Sequence, residues 1–302
     1  MRLVEVTGMN KTYEKFKLDN VSFHLESGHI YGFIGANGSG KSTTMKGMTG
    51  LINLDSGSVL MNGKSIYELS SVEKEKIGFT MDEICLPDNL KVNSLNKIFK
   101  STFDNWDENV FFGFLKSFNI DTSKKIKELS KGMKAKFNIA ISLSHNANIL
   151  ILDEPMNGLD PVARDEFCEL LSNFILDGED RTILISSHII SDLEKICTDF
   201  IFINEGKIII QEKKSILDNN FIKINVSEEE FENIDRHKII RYKRAINSYD
   251  ILALKENSEY FANCESANAE DFLVFMIRGK TIWRNSKDYY IKIYSKANQY
   301  SL

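Results

Sequence analysis

Eight residues, Gly35-Ala36-Asn37-Gly38-Ser39-Gly40-Lys41-Ser42, constrain this chain more than any others. They fit the spacing G-x-x-x-x-G-K-[ST]. Before them runs the apolar Ile30-Tyr31-Gly32-Phe33-Ile34, and after them comes a stretch of helical character, residues 41–49. A strand that ends in a glycine-rich turn and opens a helix can aim successive backbone N–H groups inward, around an anion. The helix start adds partial positive charge. Lys41 offers a full charge to the β- and γ-phosphates of ATP, and the Ser42 hydroxyl is a ligand for Mg²⁺. Gly35, Asn37, Gly38, Gly40, Lys41, Ser42 and Thr43 are therefore the expected nucleotide-binding residues.

A second apolar strand, Ile149-Leu150-Ile151-Leu152, ends in Asp153-Glu154-Pro155. Acidic residues at a strand end are common by themselves. In the same sheet as a phosphate loop they gain roles: Asp153 to hold the Mg²⁺ shell and Glu154 to polarise an attacking water. Strand signals return at residues 182–186, again followed by a helical pattern, which predicts an α/β core with a parallel sheet. The first 25 residues alternate as β-strands, and residues 59–79 read as short strands and turns. Between them and the second carboxylate strand the period changes. Val92, Leu95 and Phe99, then Phe111, Phe114, Leu115 and Phe118, recur at helical spacing. A helical subdomain over about 84–145 is expected there. Beyond residue 210 the composition shifts to strands at 221–226, 239–245 and 249–254 and a helix at 269–276. The expected organisation is thus residues 1–217 as the nucleotide-binding domain and 218–302 as a small C-terminal α+β domain.

The 302 residues are 42% hydrophobic and 27% charged, enough for a sizeable core without disulfides or metals. A net charge of -5 gives no electrostatic reason to expect a nucleic-acid partner. Cys85, Cys168, Cys197 and Cys264 lie far apart without zinc spacing, so reduced, buried thiols are expected. The first residues carry no signal-peptide pattern, and no apolar run approaches the roughly 20 residues that span a bilayer. A role at a membrane would therefore be played from its cytoplasmic face, through a partner.

Leu129-Ser130-Lys131-Gly132-Met133 opens a helical run about twenty residues before Asp153. Ser130 alone is an ordinary helix N-cap. In this order of motifs, however, the chain resembles the ABC ATPases, whose signature LSGGQ stands in that place. The resemblance continues in Asn157-Gly158-Leu159-Asp160, which matches the D-loop, and in Ser186-Ser187-His188, which matches the switch histidine. It covers residues 1–217. It implies a P-loop core with an antiparallel β subdomain and a helical subdomain, and an ATPase working as a homodimer or heterodimer. It also implies a peripheral position on integral membrane permease subunits. Lys41, Asp153, Glu154 and His188 of one subunit would share a site with Ser130 and Gly132 of the other. Asp160 belongs to the same interface, and Tyr13 matches the aromatic residue that stacks on adenine. Two departures stand out. Lys131 and Met133 replace Gly and Gln of the signature, and Asp82 stands where the Q-loop has Gln, so an acidic metal contact is expected there. Both variants are similar to the branch that exports peptides and antibiotics, of the bacitracin-resistance type. Glu270-Asp271-Phe272-Leu273 resembles the end of that branch's accessory domain. An ABC-type ATP switch acting on ribosomes or DNA would carry a second cassette with a charged linker or a long coiled-coil insert. Neither pattern occurs in the sequence. The tail over residues 281–302, with four basic residues against one acidic and with Trp283, Tyr289, Tyr290, Tyr294 and Tyr300, has a composition that suits a lipid headgroup surface, although such tails are more often an extra strand or a solvated end.

Overall fold

The computed structural model describes residues 1–81, 86–187 and 189–280. Two compact units divide them, one ending at Gln211 and the other starting at Glu212.

In the first unit, β1 (Arg2–Tyr13) and β2 (Phe16–Glu26) precede β3 (Ile30–Ile34) and α1 (Lys41–Met48). There follow β4 (Ser56–Met61), β5 (Lys64–Ser65), α2 (Ser71–Lys74) and β6 (Ile77–Thr80). The helical segment holds α3 (Val92–Thr102), α4 (Glu108–Ser117) and α5 (Lys131–Ser144). The chain then re-enters the sheet as β7 (Ile149–Leu152), α6 (Pro161–Leu176), β8 (Thr182–Ser186), α7 (Ile190–Ile196), β9 (Asp199–Asn204) and β10 (Lys207–Lys213). Two sheets result. One is antiparallel, in the order β2-β1-β4-β5, and the other runs β10-β9-β3-β8-β7-β6. In the second sheet β3, β6, β7, β8 and β9 pair in parallel. Every residue of β3, β7 and β8 is buried, as a strand covered on both faces requires. Helix α1 lies in the core between the sheets. Its Met45 and Met48 join Val4, Met9 and Leu18 of one sheet and Phe33, Ile151 and Leu184 of the other in a single cluster.

The helical segment builds its own core. Val92, Leu95, Phe99, Phe111 and Leu115 are buried, as their spacing predicts, while Phe114 and Phe118 are partly covered. The half-buried Trp106 packs against this core, with ring centroids 5.0 Å from Phe99 and 4.9 Å from Phe111. Its indole N–H donates to Asn96 Oδ1 at 2.8 Å, satisfying the one polar atom the ring brings in. Helix α2 stands where the sequence read only strands and turns. Its four residues are held by a capping box, Ser70 with Glu73.

In the second unit, α8 (Lys214–Asn220) leads into β11 (Phe221–Ser227), α9 (Glu228–Asn233), β12 (Ile239–Arg244), β13 (Ser248–Leu254), β14 (Glu265–Ser266) and α10 (Ala269–Arg278). The sheet order is β12-β13-β11-β14. The first unit ends at Gln211, a few residues before Leu217, and within the second unit α8 packs against α10. Ile222, Ile224 and Val226 line one face of β11 with Phe231 and Ile251, whereas Phe221 on the other face meets Phe272 of α10 at 5.0 Å. Asp271, in the segment resembling an accessory-domain end, closes a capping box with Asn268 and pairs with Lys223 at 3.1 Å. No helix among the described residues is long and apolar enough to cross a membrane.

Candidate nucleotide site

The register of the parallel sheet brings the chemistry-bearing residues to one edge. Phe33 lies beside Ser186, and Ile185 beside Leu152. The next residues, Gly35 after β3 and Asp153 after β7, therefore emerge together at the carboxyl ends of the strands, with Ser186 of β8 between them. In open α/β sheets this edge is where ligands bind.

The loop from Gly35 to Gly40 is shaped by its glycines. Gly38 and Gly40 have φ of 78° and 112°, a region that residues with a Cβ enter only at a cost. At Gly35 a Cβ would lie 2.3 Å from the carbonyl oxygen of Ile203, so only glycine fits beside β9. Ala36, Asn37 and Gly38 are exposed, and Gly40 is the N-cap residue of α1. Thr44 N–H closes on Gly40 O at 2.8 Å, whereas the N–H groups of Lys41, Ser42 and Thr43 belong to the first turn, which has no intrahelical acceptor for them. Lys41 is 7% exposed, and its ammonium donates to Gly35 O at 2.8 Å. Burial pulls its pKa below the ordinary lysine value, while Glu154 and Asp153 pull it back up. A buried cation, a fan of N–H groups and a helix start converge on one small volume. The Ser39 hydroxyl, 4% exposed, has no hydrogen-bond partner there.

Across the edge, Asp153 is 5% exposed and tied by its N–H to Thr80 O at 3.0 Å. Glu154 follows in left-handed backbone, φ 50°, which turns the chain sharply out of the sheet. One side chain holds this turn. The fully buried Ser186 hydroxyl donates to Asp153 Oδ1 at 2.7 Å and accepts from Glu154 N–H at 2.9 Å. A cavity of about 520 Å³ opens beside Glu154, bounded also by Thr80, Lys131, Lys134 and Asn157.

The remaining expected residues fall around this edge. Ser130 is exposed and caps α5, its Oγ accepting from Met133 N–H at 3.2 Å. Gly132 abuts the loop after Glu154: a Cβ there would lie 3.2 Å from Gly158 O. Asp160 caps α6 by accepting from Ala163 N–H at 3.0 Å, which lowers its carboxyl pKa. Tyr13 is 46% exposed and pairs with Phe16, whose ring packs on the Gly40 backbone. Asp82, His188 and Cys85 lie outside the described residues. Cys168 and Cys197 are buried, but Cys264 is half-buried.

Two participants were missed in the sequence. Ser186 was visible only as part of the run before His188. The turn Glu205-Gly206, with φ of 47° and 74°, joins β9 to β10 and donates Gly206 N–H to Ser39 O at 2.9 Å. A glycine after the polar pair Asn204-Glu205, between two apolar runs, was the available signal.

The family model described as ABC transporter matches residues 18–157. A lantibiotic transport ATP-binding protein, SrtF of Streptococcus pyogenes, is 39% identical over 216 residues, covering 70% of this chain and 91% of that protein. The bacitracin transport ATP-binding protein BcrA of Bacillus licheniformis is 32% identical over 218 residues, 68% of each. A solved ATP-binding subunit of an ABC transporter superposes with a TM-score of 0.65 at 25% identity, covering 71% of this chain and 91% of that one. Phosphate loop, paired carboxylates and these likenesses agree: the chain belongs to the ATP-binding, ATP-hydrolysing subunits of ABC transporters.

Proposed function

We propose that this chain powers the export of peptides or other amphipathic antimicrobial compounds. In this reading it sits on the cytoplasmic face of the membrane and acts on integral permease subunits as half of an ATPase dimer. The observation that carries the ATPase half of this reading is the buried Lys41 ammonium facing Asp153 and Glu154 across Ser186. The cargo class rests on the relatives named for lantibiotic and bacitracin transport.

Lys41 and the N–H groups of residues 38 and 40–43 bind the triphosphate, and Tyr13 stacks on adenine. The donor set fits Mg²⁺, since the Ser42 hydroxyl and the Asp153 carboxylate are hard oxygens at the phosphate end of the loop. When bound, the ion neutralises charge on the β- and γ-phosphates. Glu154 orients water and accepts its proton, with His188 assisting at the γ-phosphate. Asp82 adds a carboxylate toward the cation, because a like charge facing the triphosphate would cost about 1–4 kcal/mol at surface-like dielectric. Ser130, Gly132 and Asp160 serve the ATP of the opposing subunit. Residues 1–217 carry the ATPase and 218–302 form an accessory domain.

Glu154→Gln should retain ATP binding, stop turnover and trap a dimer. Turnover at the unmodified rate would reject Glu154 as the base. Mixing the inactive Lys41→Ala and Ser130→Arg chains should restore one composite site per heterodimer. Heterodimers that form yet recover no turnover would reject the shared site.

A further inference from the structure

Glu75, between α2 and β6, fastens the helical segment to the sheet. It is 8% exposed, and its carboxylate accepts from Asp104 N–H with both oxygens at 3.0 Å and from Asn105 N–H at 3.4 Å. Those N–H groups belong to the turn between α3 and α4. The backbone oxygen of Glu75 takes a third contact, 2.8 Å from Nδ1 of His145, the residue that ends α5. His145 is itself 4% exposed and stacks on Phe103 at 4.5 Å. The neighbouring Lys76 O accepts from Asn148 N–H at 2.9 Å and from Ile149 N–H at 3.0 Å, where β7 begins. One short stretch of chain thus grips the α3–α4 turn, the C-terminal end of the helical segment and the strand that delivers Asp153.

The far end of α5 starts at Ser130. With a rise of 1.5 Å per residue, the 14 residues of α5 make an arm of about 21 Å from the His145 end to Ser130. A small rotation about the Glu75 end therefore becomes a displacement of several ångströms at the signature. On the sheet side the path is as direct: β6 pairs with β7 from Ile77 to Thr80, and Thr80 O accepts from Asp153 N–H.

We infer that Glu75 is a positioning residue that fixes the pivot of the helical segment, so that Ser130 and Gly132 arrive on the opposing subunit's ATP when the dimer closes. The inference rests on the shared-site reading of Ser130. Glu75 precedes β6, at the edge of the sheet opposite the phosphate loop and Asp153, so its removal loosens the arm and leaves ATP binding within the chain intact.

The test uses the full chain in the Glu154→Gln background and measures two quantities. One is affinity for a fluorescent ATP analogue, and the other is the ATP concentration at which dimers form, read by light scattering. Glu75→Ala should leave nucleotide affinity within about twofold and raise the ATP midpoint for dimerisation by about tenfold, the size of a typical coupling loss. Glu75→Gln keeps one acceptor oxygen in a side chain of the same length; it should fall between the two and serves if the alanine variant does not fold. A dimerisation midpoint unchanged in both variants overturns the inference, as does an equal loss of nucleotide affinity, which would mark a merely structural role. If the parent chain forms no ATP-driven dimer, the shared-site reading falls first and this inference with it.

Discussion

Removing the Ser186 hydroxyl tests whether the carboxylate pair is held by the strand between it and the phosphate loop. Ser186→Ala takes away a bond to a carboxylate and a bond from a backbone N–H, both inside the core. A hydrogen bond to a charged group contributes about 1.5–3 kcal/mol, and a buried donor left unpaired costs about 1–3 kcal/mol more. Partial relaxation keeps these from adding fully, so a loss of about 3 kcal/mol in unfolding free energy is expected. For a unit of this size that corresponds to about 6–12 °C in melting temperature. Turnover should suffer separately. Without the hydroxyl Glu154 N–H loses this acceptor, the left-handed turn at φ 50° can relax, and the carboxylate loses its aim. A fall in kcat of about 10- to 100-fold with little change in KM is expected, the pattern of an interaction made in the transition state. The assay pairs steady-state ATPase kinetics with urea unfolding, and Ser186→Thr, which keeps the hydroxyl, controls for volume. Wild-type kcat in a destabilised Ser186→Ala chain would refute the positioning role. An unchanged unfolding midpoint would refute the energetics.

Gly206→Ala would place a Cβ 1.9 Å from Lys17 O in a backbone of φ 74°, so a loss of about 2 kcal/mol or more is expected. Because Gly206 N–H holds Ser39 O, KM for ATP should rise as well; an unchanged KM would leave the turn with a purely structural part. Burial pushes the His145 pKa down. Its folded value lies below the unfolded one near 6.5, so its contribution to stability is complete above that pH. It is lost as pH falls below about 6.5 toward the folded pKa, by up to about 1.4 kcal/mol per pH unit. Urea midpoints of His145→Asn should therefore vary less between pH 7.5 and 5.5 than those of the unmodified chain; equal slopes would discount His145. Asp82→Asn should raise the Mg²⁺ concentration needed for half-maximal ATPase activity, and superimposable titrations would leave Asp82 without a metal role.

Local patterns were legible in the sequence and distant pairings were not. The phosphate loop could be read because strand, glycines and helix start are contiguous, and the cap at Ser130 because an N-cap acts within three residues. The buried faces of α3 and α4 followed from their spacing. Helix α2 escaped because it buries no residue and shows no apolar period, although Ser70 and Glu73 carried the capping-box signal. Ser186, Gly206 and Glu75 act on partners 29 to 167 residues away, and no spacing rule encodes which strands become neighbours. The order β9-β3-β8-β7 had to be seen before Ser186 could be placed beside Asp153.

That order also bears on how the chain is made. The fully buried strand β3 leaves the ribosome early, yet both its neighbours, β8 and β9, lie about 150 residues or more downstream. At about 5–20 residues per second, Ile30–Ile34 waits about 7–30 s for a partner, with its apolar side chains and unpaired N–H groups open to other chains. The phosphate loop cannot take its final shape in that interval, since Gly206, which holds Ser39, is among the last residues of the unit to emerge. Nucleotide can therefore reward folding only after the whole first unit has been synthesised, and chains truncated before Thr182 should neither bind ATP nor stay in solution without a chaperone.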